Sequence, residues 1–177
     1  MEKTIVIYYS NTGSNRFLAR KIAEALNCET EEIKPKLKVQ PLLVLGTNLG
    51  IHQLQANPAE YDRIILCGPI WMGKLISPLK AFIKKYRKSI QKLIFITCCG
   101  SSYEVKDQKF GHNRVFQKLK DLLGDKCIQC EALPIPLVLP DDKKEDGNLI
   151  MNTRITDDNF KGEIAHRLGE FIAKVAV

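Results

Sequence analysis

Residues 5–15 read Ile5-Val6-Ile7-Tyr8-Tyr9-Ser10-Asn11-Thr12-Gly13-Ser14-Asn15. An unbroken run of β-branched and aromatic residues gives way to six small or polar ones. A short apolar run without polar alternation predicts a strand covered on both faces, as in a parallel sheet. Directly after it, Leu18, Ile22, Ala25 and Leu26 share one face of a helical pattern over 15–26. Strand, polar loop and helix in that order open a βαβ unit.

Working outward, the same pattern recurs. Ile64–Cys67 and Leu93–Thr97 are further continuous apolar runs. Helical spacing follows in 78–89 (Leu79, Phe82, Ile83, Tyr86), in 112–123 (Val115, Phe116, Leu119, Leu122, Leu123), where Gly124 is a stop, and in 160–175 (Phe160, Ile164, Leu168, Phe171, Ile172, Val175). Residues 29–34 predict a charged strand suited to an edge. A last strand is expected within 127–139. Pro134 and Pro136 share parity there, so their missing N–H groups can both face a free edge. Residues 35–60 are the least legible, with an irregular helix expected around Leu42–Leu54. Residues 140–158 read as a polar, acidic loop. The expectation is an α/β protein, one domain over 1–177, built on a doubly wound five-stranded parallel sheet with helices on both faces.

Composition narrows the classes. The 177 residues are 45% hydrophobic and 27% charged, which excludes a disordered or fibrous chain. No window reaches 18 apolar residues, so no membrane span is expected. The opening MEKTIVIYYS lacks the plan of a signal peptide, and a cytoplasmic, reducing location is expected. The net charge is +7, and residues 74–120 carry twelve basic residues against two acids, Glu104 and Asp107. A basic middle fits an acidic partner, an anionic small molecule or a solvated helix face. Six cysteines stand at 28, 67, 98, 99, 127 and 130. In a reducing compartment they read mostly as small buried hydrophobes. Cys127 and Cys130 form a C-x-x-C. In an extended strand their offset of three puts them on opposite faces, and nothing completes a metal set.

In an open α/β sheet, ligands sit at the carboxyl ends of the strands. The first such loop is Ser10-Asn11-Thr12-Gly13-Ser14-Asn15. Its short polar side chains and the helix N-terminus behind it form either a phosphate cradle or an ordinary helix cap. The next is Gly68-Pro69-Ile70-Trp71-Met72-Gly73-Lys74, with the only tryptophan of the chain. A flat ring beside a Gly suits stacking on a planar ligand, or covers a helix end. The third is Cys98-Cys99-Gly100-Ser101-Ser102-Tyr103. One polar cradle and two aromatic-bearing loops at the same edge describe a site for a flat phosphorylated cofactor.

These residues resemble the flavodoxin family. Tyr9-Ser10-x-Thr12-Gly13 before a helix is similar to its phosphate loop. Tyr61 to Gly73, followed by Pro78-Leu79-Lys80-Ala81-Phe82, looks like its third strand, flavin loop and helix. Thr97-Cys98-Cys99-Gly100 looks like its third cofactor loop. The resemblance spans roughly residues 4–103. It implies strand order 2-1-3-4-5 and noncovalent FMN. Phosphate would lie on Ser10, Asn11, Thr12, Gly13, Ser14 and Asn15. The ring would lie between Pro69, Ile70, Trp71, Met72 and Gly73 on one side and Cys98, Cys99, Gly100 and Tyr103 on the other. The family's phosphate loop ends in Thr or Ser, whereas position 15 here is Asn, which can still hydrogen-bond. Carrier flavodoxins are typically acidic, and this chain is basic.

Rival readings lack residues. Gly68 to Lys74 spells most of a P-loop, but Leu75 stands where a Mg²⁺-binding Ser or Thr is required. A receiver domain needs clustered carboxylates at strand one, where Tyr8, Tyr9 and Ser10 stand. A nucleic-acid module needs aromatics among Lys80, Lys84, Lys85, Arg87 and Lys88, and Tyr86 is on the apolar face. What remains is electron transfer through FMN to a redox partner protein, expected to be acidic, or an FMN-dependent NAD(P)H oxidoreductase acting on a quinone or other small acceptor. No residue is marked as a catalytic acid or base.

Overall fold

The computed structural model describes residues 2–37, 50–100 and 111–176. The apolar runs are strands β1 (Thr4–Tyr8), β3 (Arg63–Cys67) and β6 (Lys92–Thr97), and β2 (Glu29–Glu32) and β7 (Cys127–Ala132) flank them. They form one five-stranded parallel sheet in the order β2-β1-β3-β6-β7. With the two hairpin strands introduced below set aside, this is the expected order 2-1-3-4-5.

The helices are α1 (Ser14–Leu26), α2 (Ser77–Tyr86), α3 (His112–Leu123), the short α4 (Gly147–Asn152) and α5 (Glu163–Val175). Strand side chains alternate between two core layers. Ile5, Ile7, Leu93 and Phe95 pack with Leu79 and Phe82 of α2 and Val115 and Leu119 of α3. Val6, Tyr8, Ile94 and Ile96 pack with Leu18 and Ile22 of α1 and Leu168 and Phe171 of α5. Apolar layers on both faces are why the central strands show no polar alternation. Among the described residues, no helix is long and apolar enough to cross a membrane.

Strand β2 is acidic, yet each of its glutamates has a fixed partner. Glu29 accepts from the Tyr61 hydroxyl at 2.7 Å, and this bond is the main reason the Tyr61 pKa is pushed up to about 12. Glu31 accepts from the backbone N–H groups of Gln55 and Ala56 at 2.6 and 2.9 Å. Glu32 pairs with Arg16 of α1 at 2.9 Å. The edge strand is therefore held by carboxylates that satisfy neighbouring donors, while its exposed side stays charged and resists edge-to-edge pairing.

Three expectations change. Residues 50–54 form no helix: Ile51 makes an antiparallel bridge to Pro35, and 42–49 lie outside the described residues. Strand β7 ends at Ala132, before the prolines. Leu133 and Ile135 still donate to the carbonyls of Thr97 and Cys99, at 2.8 and 2.9 Å. Pro134 thus falls where an N–H would face away from β6, as its parity requires. Residues 140–158 are not simply a loop. They hold α4, capped by the Asp146 carboxylate, which accepts from Asn148 and Leu149, and then the buried Ile155.

Replacing Glu31 by Ala leaves two backbone donors without their acceptor. The expected loss is about 1–3 kcal/mol in urea unfolding, with Glu31→Gln losing less. Equal stability of Glu31→Ala and the parent would show that water replaces the carboxylate at this edge.

Candidate functional site

The polar loop of residues 9–13 leaves the C-terminal end of β1 and enters α1 at Gly13. Gly13 has φ 108°, a value that only glycine adopts readily, and a Cβ there would meet nothing within 4 Å. The Gly13 N–H donates to Ser10 Oγ at 3.0 Å, which tightens the turn. Among the described residues no side chain caps α1, and its first turn carries no acid. The helix therefore presents its positive end to an open space, with Asn11 and Thr12 exposed beside it.

The last two residues of the six act differently. Asn15 is buried, and its amide grips β6 from both sides of one residue. Oδ1 accepts from the Cys98 N–H at 2.8 Å, and Nδ2 donates to the Cys98 carbonyl at 3.1 Å. The Cys67 thiol at the end of β3 donates to the Asn15 backbone carbonyl at 3.2 Å. The buried Ser14 hydroxyl accepts from the Ile155 N–H at 3.0 Å. Ser14 and Asn15 thus lock the start of α1 to the ends of β3 and β6 and to the segment after α4. Asn carries both an acceptor and two donors, which a Thr or Ser in its place could not set against one peptide in this way.

The second loop is a small hairpin and not an irregular connection. β4 (Ile70–Trp71) pairs antiparallel with β5 (Lys74–Leu75). Met72 (φ 47°) and Gly73 (φ 63°) form its two-residue turn, and positive φ at both is what a tight hairpin turn needs. Glycine meets that requirement freely; methionine does so at a cost of about 1–2 kcal/mol. Met72 is nevertheless 70% exposed, so no packing at its tip explains the choice. Trp71 is partly buried and packs against the core layer under α2.

In the third loop Cys98 and Cys99 are both buried, but in different layers, Cys98 with α1 and α5 and Cys99 with α2 and α3. Burial raises the Cys98 thiol well above its ordinary value, and both cysteines are unbridged. Opposed orientations do not make a working redox pair. Gly100 follows, exposed, and Tyr103 lies outside the described residues.

One part of this rim was missed. The segment 146–155 meets the site at two points. Ile150 Cγ2 would stand 3.0 Å from a Cβ at Gly100, and Ile155 reaches Ser14. Arg154 turns its guanidinium back onto the carbonyls of Met151 and Thr153 at 2.7 and 2.9 Å. Met151 is 71% exposed, as bare as Met72. The available signal was Leu149-Ile150-Met151, an apolar triplet inside an otherwise polar stretch and preceded by the N-cap Asp146.

A family model described as a flavodoxin domain matches residues 5–133. No curated protein matches the sequence. Among solved structures, the chain is similar to a flavoprotein from Lactobacillus acidophilus NCFM in complex with FMN. That likeness has 17% identity and a TM-score of 0.61, and covers 75% of this chain and 93% of that one. The apo form of the Lactobacillus flavoprotein gives 15% identity, 83% and 97% coverage and a TM-score of 0.53. Oxidised flavodoxin 1 from Bacillus cereus gives 16% identity, 97% and 95% coverage and a TM-score of 0.50. At these identities the likenesses show the fold.

Asn15→Ala should remove the partners of a buried N–H and a buried C=O at once. A stability loss of about 2–4 kcal/mol is expected, larger than for a typical surface change. A loss under about 0.5 kcal/mol, the scale of a neutral surface change, would mean the amide does not brace the strand end.

Proposed function

The chain belongs to the flavodoxin domain family, and from that premise we propose that it is an FMN-dependent electron carrier. The observation that carries the proposal is the uncapped start of α1 beneath an open, Cβ-free Gly13, in the same cluster as the Trp71 hairpin and the Gly100 loop. Backbone donors of the loop and of the first turn of α1, the Gly13 N–H being held by Ser10, would receive the FMN phosphate without any Lys or Arg. Trp71 and the bare Met72 and Met151 offer apolar surface to a flat ring. Bound FMN would supply one- and two-electron chemistry, and the protein would set its potential and access.

Within that reading, Met72-Gly73 tunes the ring. With FMN bound, the peptide between them would face the ring and could offer it either its N–H or, after turning over, its C=O. The tip of a two-residue turn is where such an exchange disturbs least, and Gly73 tolerates it for lack of a Cβ.

The partner is proposed to be an acidic redox protein. A groove of about 430 Å³ runs beside the hairpin, with Leu75, Ile83 and Leu122 as its apolar floor and Lys80, Lys84 and Arg87 as its rim. Burial, with Lys74 and Lys118 close by, holds Lys80 below the ordinary lysine value. A cationic rim around an apolar floor speeds docking of an acidic protein and weakens with salt.

Titration with FMN and FAD tests the cofactor. One FMN per chain is expected, with quenching of the single Trp, and Trp71→Ala should weaken FMN by about 1–3 kcal/mol. Preference for FAD would end the reading. Adding NADPH alone then separates carrier from reductase. A carrier keeps its yellow colour until a protein donor is added, whereas immediate bleaching makes the chain an NAD(P)H oxidoreductase.

A further inference from the structure

Cys127 and Cys130 were expected on opposite faces of the last strand. The structure places their sulfurs 3.6 Å apart. The cause is a β-bulge. Leu93 pairs with Cys127, but its neighbour Ile94 pairs with Gln129, so Ile128 is an extra residue with no partner on β6. One inserted residue reverses the parity of everything before it. Cys127 then stands opposite Leu93 and Cys130 opposite Phe95, both on the face covered by α3. Ile128 is turned out and 48% exposed.

The bulge also shortens the span. Three residues of ordinary strand cover roughly 10 Å, too far for a disulfide between their Cα atoms. Here the three residues match a two-residue step of β6, about 6.6 Å, at the upper end of the ~4.4–6.8 Å range that a disulfide bridges. Cys127 is buried at the start of the strand and Cys130 is partly exposed, so the pair lies just under the surface at an open sheet edge.

We propose that Cys127 and Cys130 are a peroxide-sensitive dithiol that closes reversibly to an intrastrand disulfide. The Cys127 sulfur, as thiolate, attacks one oxygen of hydrogen peroxide. An S–O bond forms, the O–O bond breaks, and hydroxide leaves and takes up a proton as water. Cys130 then attacks the Cys127 sulfenic acid. The S–S bond forms, the S–O bond breaks, and the departing oxygen carries away the Cys130 proton as a second water. Two thiols are oxidised and one peroxide is reduced. Two equivalents of a small thiol reverse the change by exchange, leaving both cysteines reduced and the small thiol as its disulfide.

The local electrostatics agree with these roles. The two thiols share a hydrogen bond in which either can donate; donation from Cys130 to a Cys127 thiolate, with the nearby Lys120 ammonium, holds Cys127 below its ordinary value and pushes Cys130 up. Burial pushes Cys28, Cys67 and Cys98 the other way, toward the unreactive thiol.

The test uses the native chain. It is treated with hydrogen peroxide, denatured, alkylated with iodoacetamide and cut with trypsin, which releases Cys127 and Cys130 on the single peptide 127–143. The expected result is that this peptide loses two hydrogens and both alkylation sites, and that dithiothreitol restores them. Cys67 and Cys98 should stay fully alkylated. In Cys130→Ser the sulfenic acid has no thiol to meet, and dimedone should label Cys127. The proposal is overturned if peptide 127–143 stays fully alkylated while other cysteines oxidise. It is equally overturned if Cys127 passes to higher acids without the loss of two hydrogens, or if dimedone leaves Cys127 of Cys130→Ser unlabelled.

Discussion

The pair of hydrogen bonds between the Asn15 side chain and the backbone N–H and C=O of Cys98 is the contact on which the candidate site depends. It joins the first turn of α1 to the end of β6, across β3, at a depth where water cannot substitute. Two of the three loops are thereby set against each other by one buried amide. Cys67 adds a bond to the Asn15 carbonyl, and Ile155 ties the segment after α4 to Ser14. Because these side chains serve as braces, the proposed FMN site at this loop would draw on backbone donors and on Asn11 and Thr12, which are exposed. The division is economical: Ser14 and Asn15 hold the helix in place, and its unpaired N–H groups face outward.

The sheet explains why the braces fall there. Parallel strands bring all their carboxyl ends to one edge, and β1 and β3 send their following helices to opposite faces. That divergence makes the carboxyl edge between β1 and β3 the switch point of the sheet. The acidic β2 lies at one edge of the sheet, and the basic α2 covers one of its faces.

The sequence made the fold legible because the central strands are buried on both faces. Ile5–Tyr9, Ile64–Cys67 and Leu93–Thr97 could not be surface segments, and the helical stripes between them pointed to a doubly wound sheet, while the strand order rested on the family resemblance. The turn into α1 was legible as well, from a glycine at a strand–helix junction, and Gly13 takes a positive φ there. What escaped was set by long-range geometry. Nothing local to Asn15 announces that its amide is aimed at Cys98, 83 residues away. The hairpin at Ile70–Leu75 was obscured because Met72 occupies a position usually given to Asn or Gly. The C-x-x-C was misjudged because register, and not spacing, decides which face a cysteine takes, and a bulge at Ile128 changes the register.

The central claim is that FMN lies at the carboxyl edge of the sheet, on the start of α1. Amide hydrogen exchange with and without FMN tests it most directly. The account predicts slowed exchange in residues 11–15, 70–74 and 98–100 on adding FMN, with 127–132 at the sheet edge unchanged. Protection confined to the α2–α3 groove, or no protection at 11–15, would contradict it.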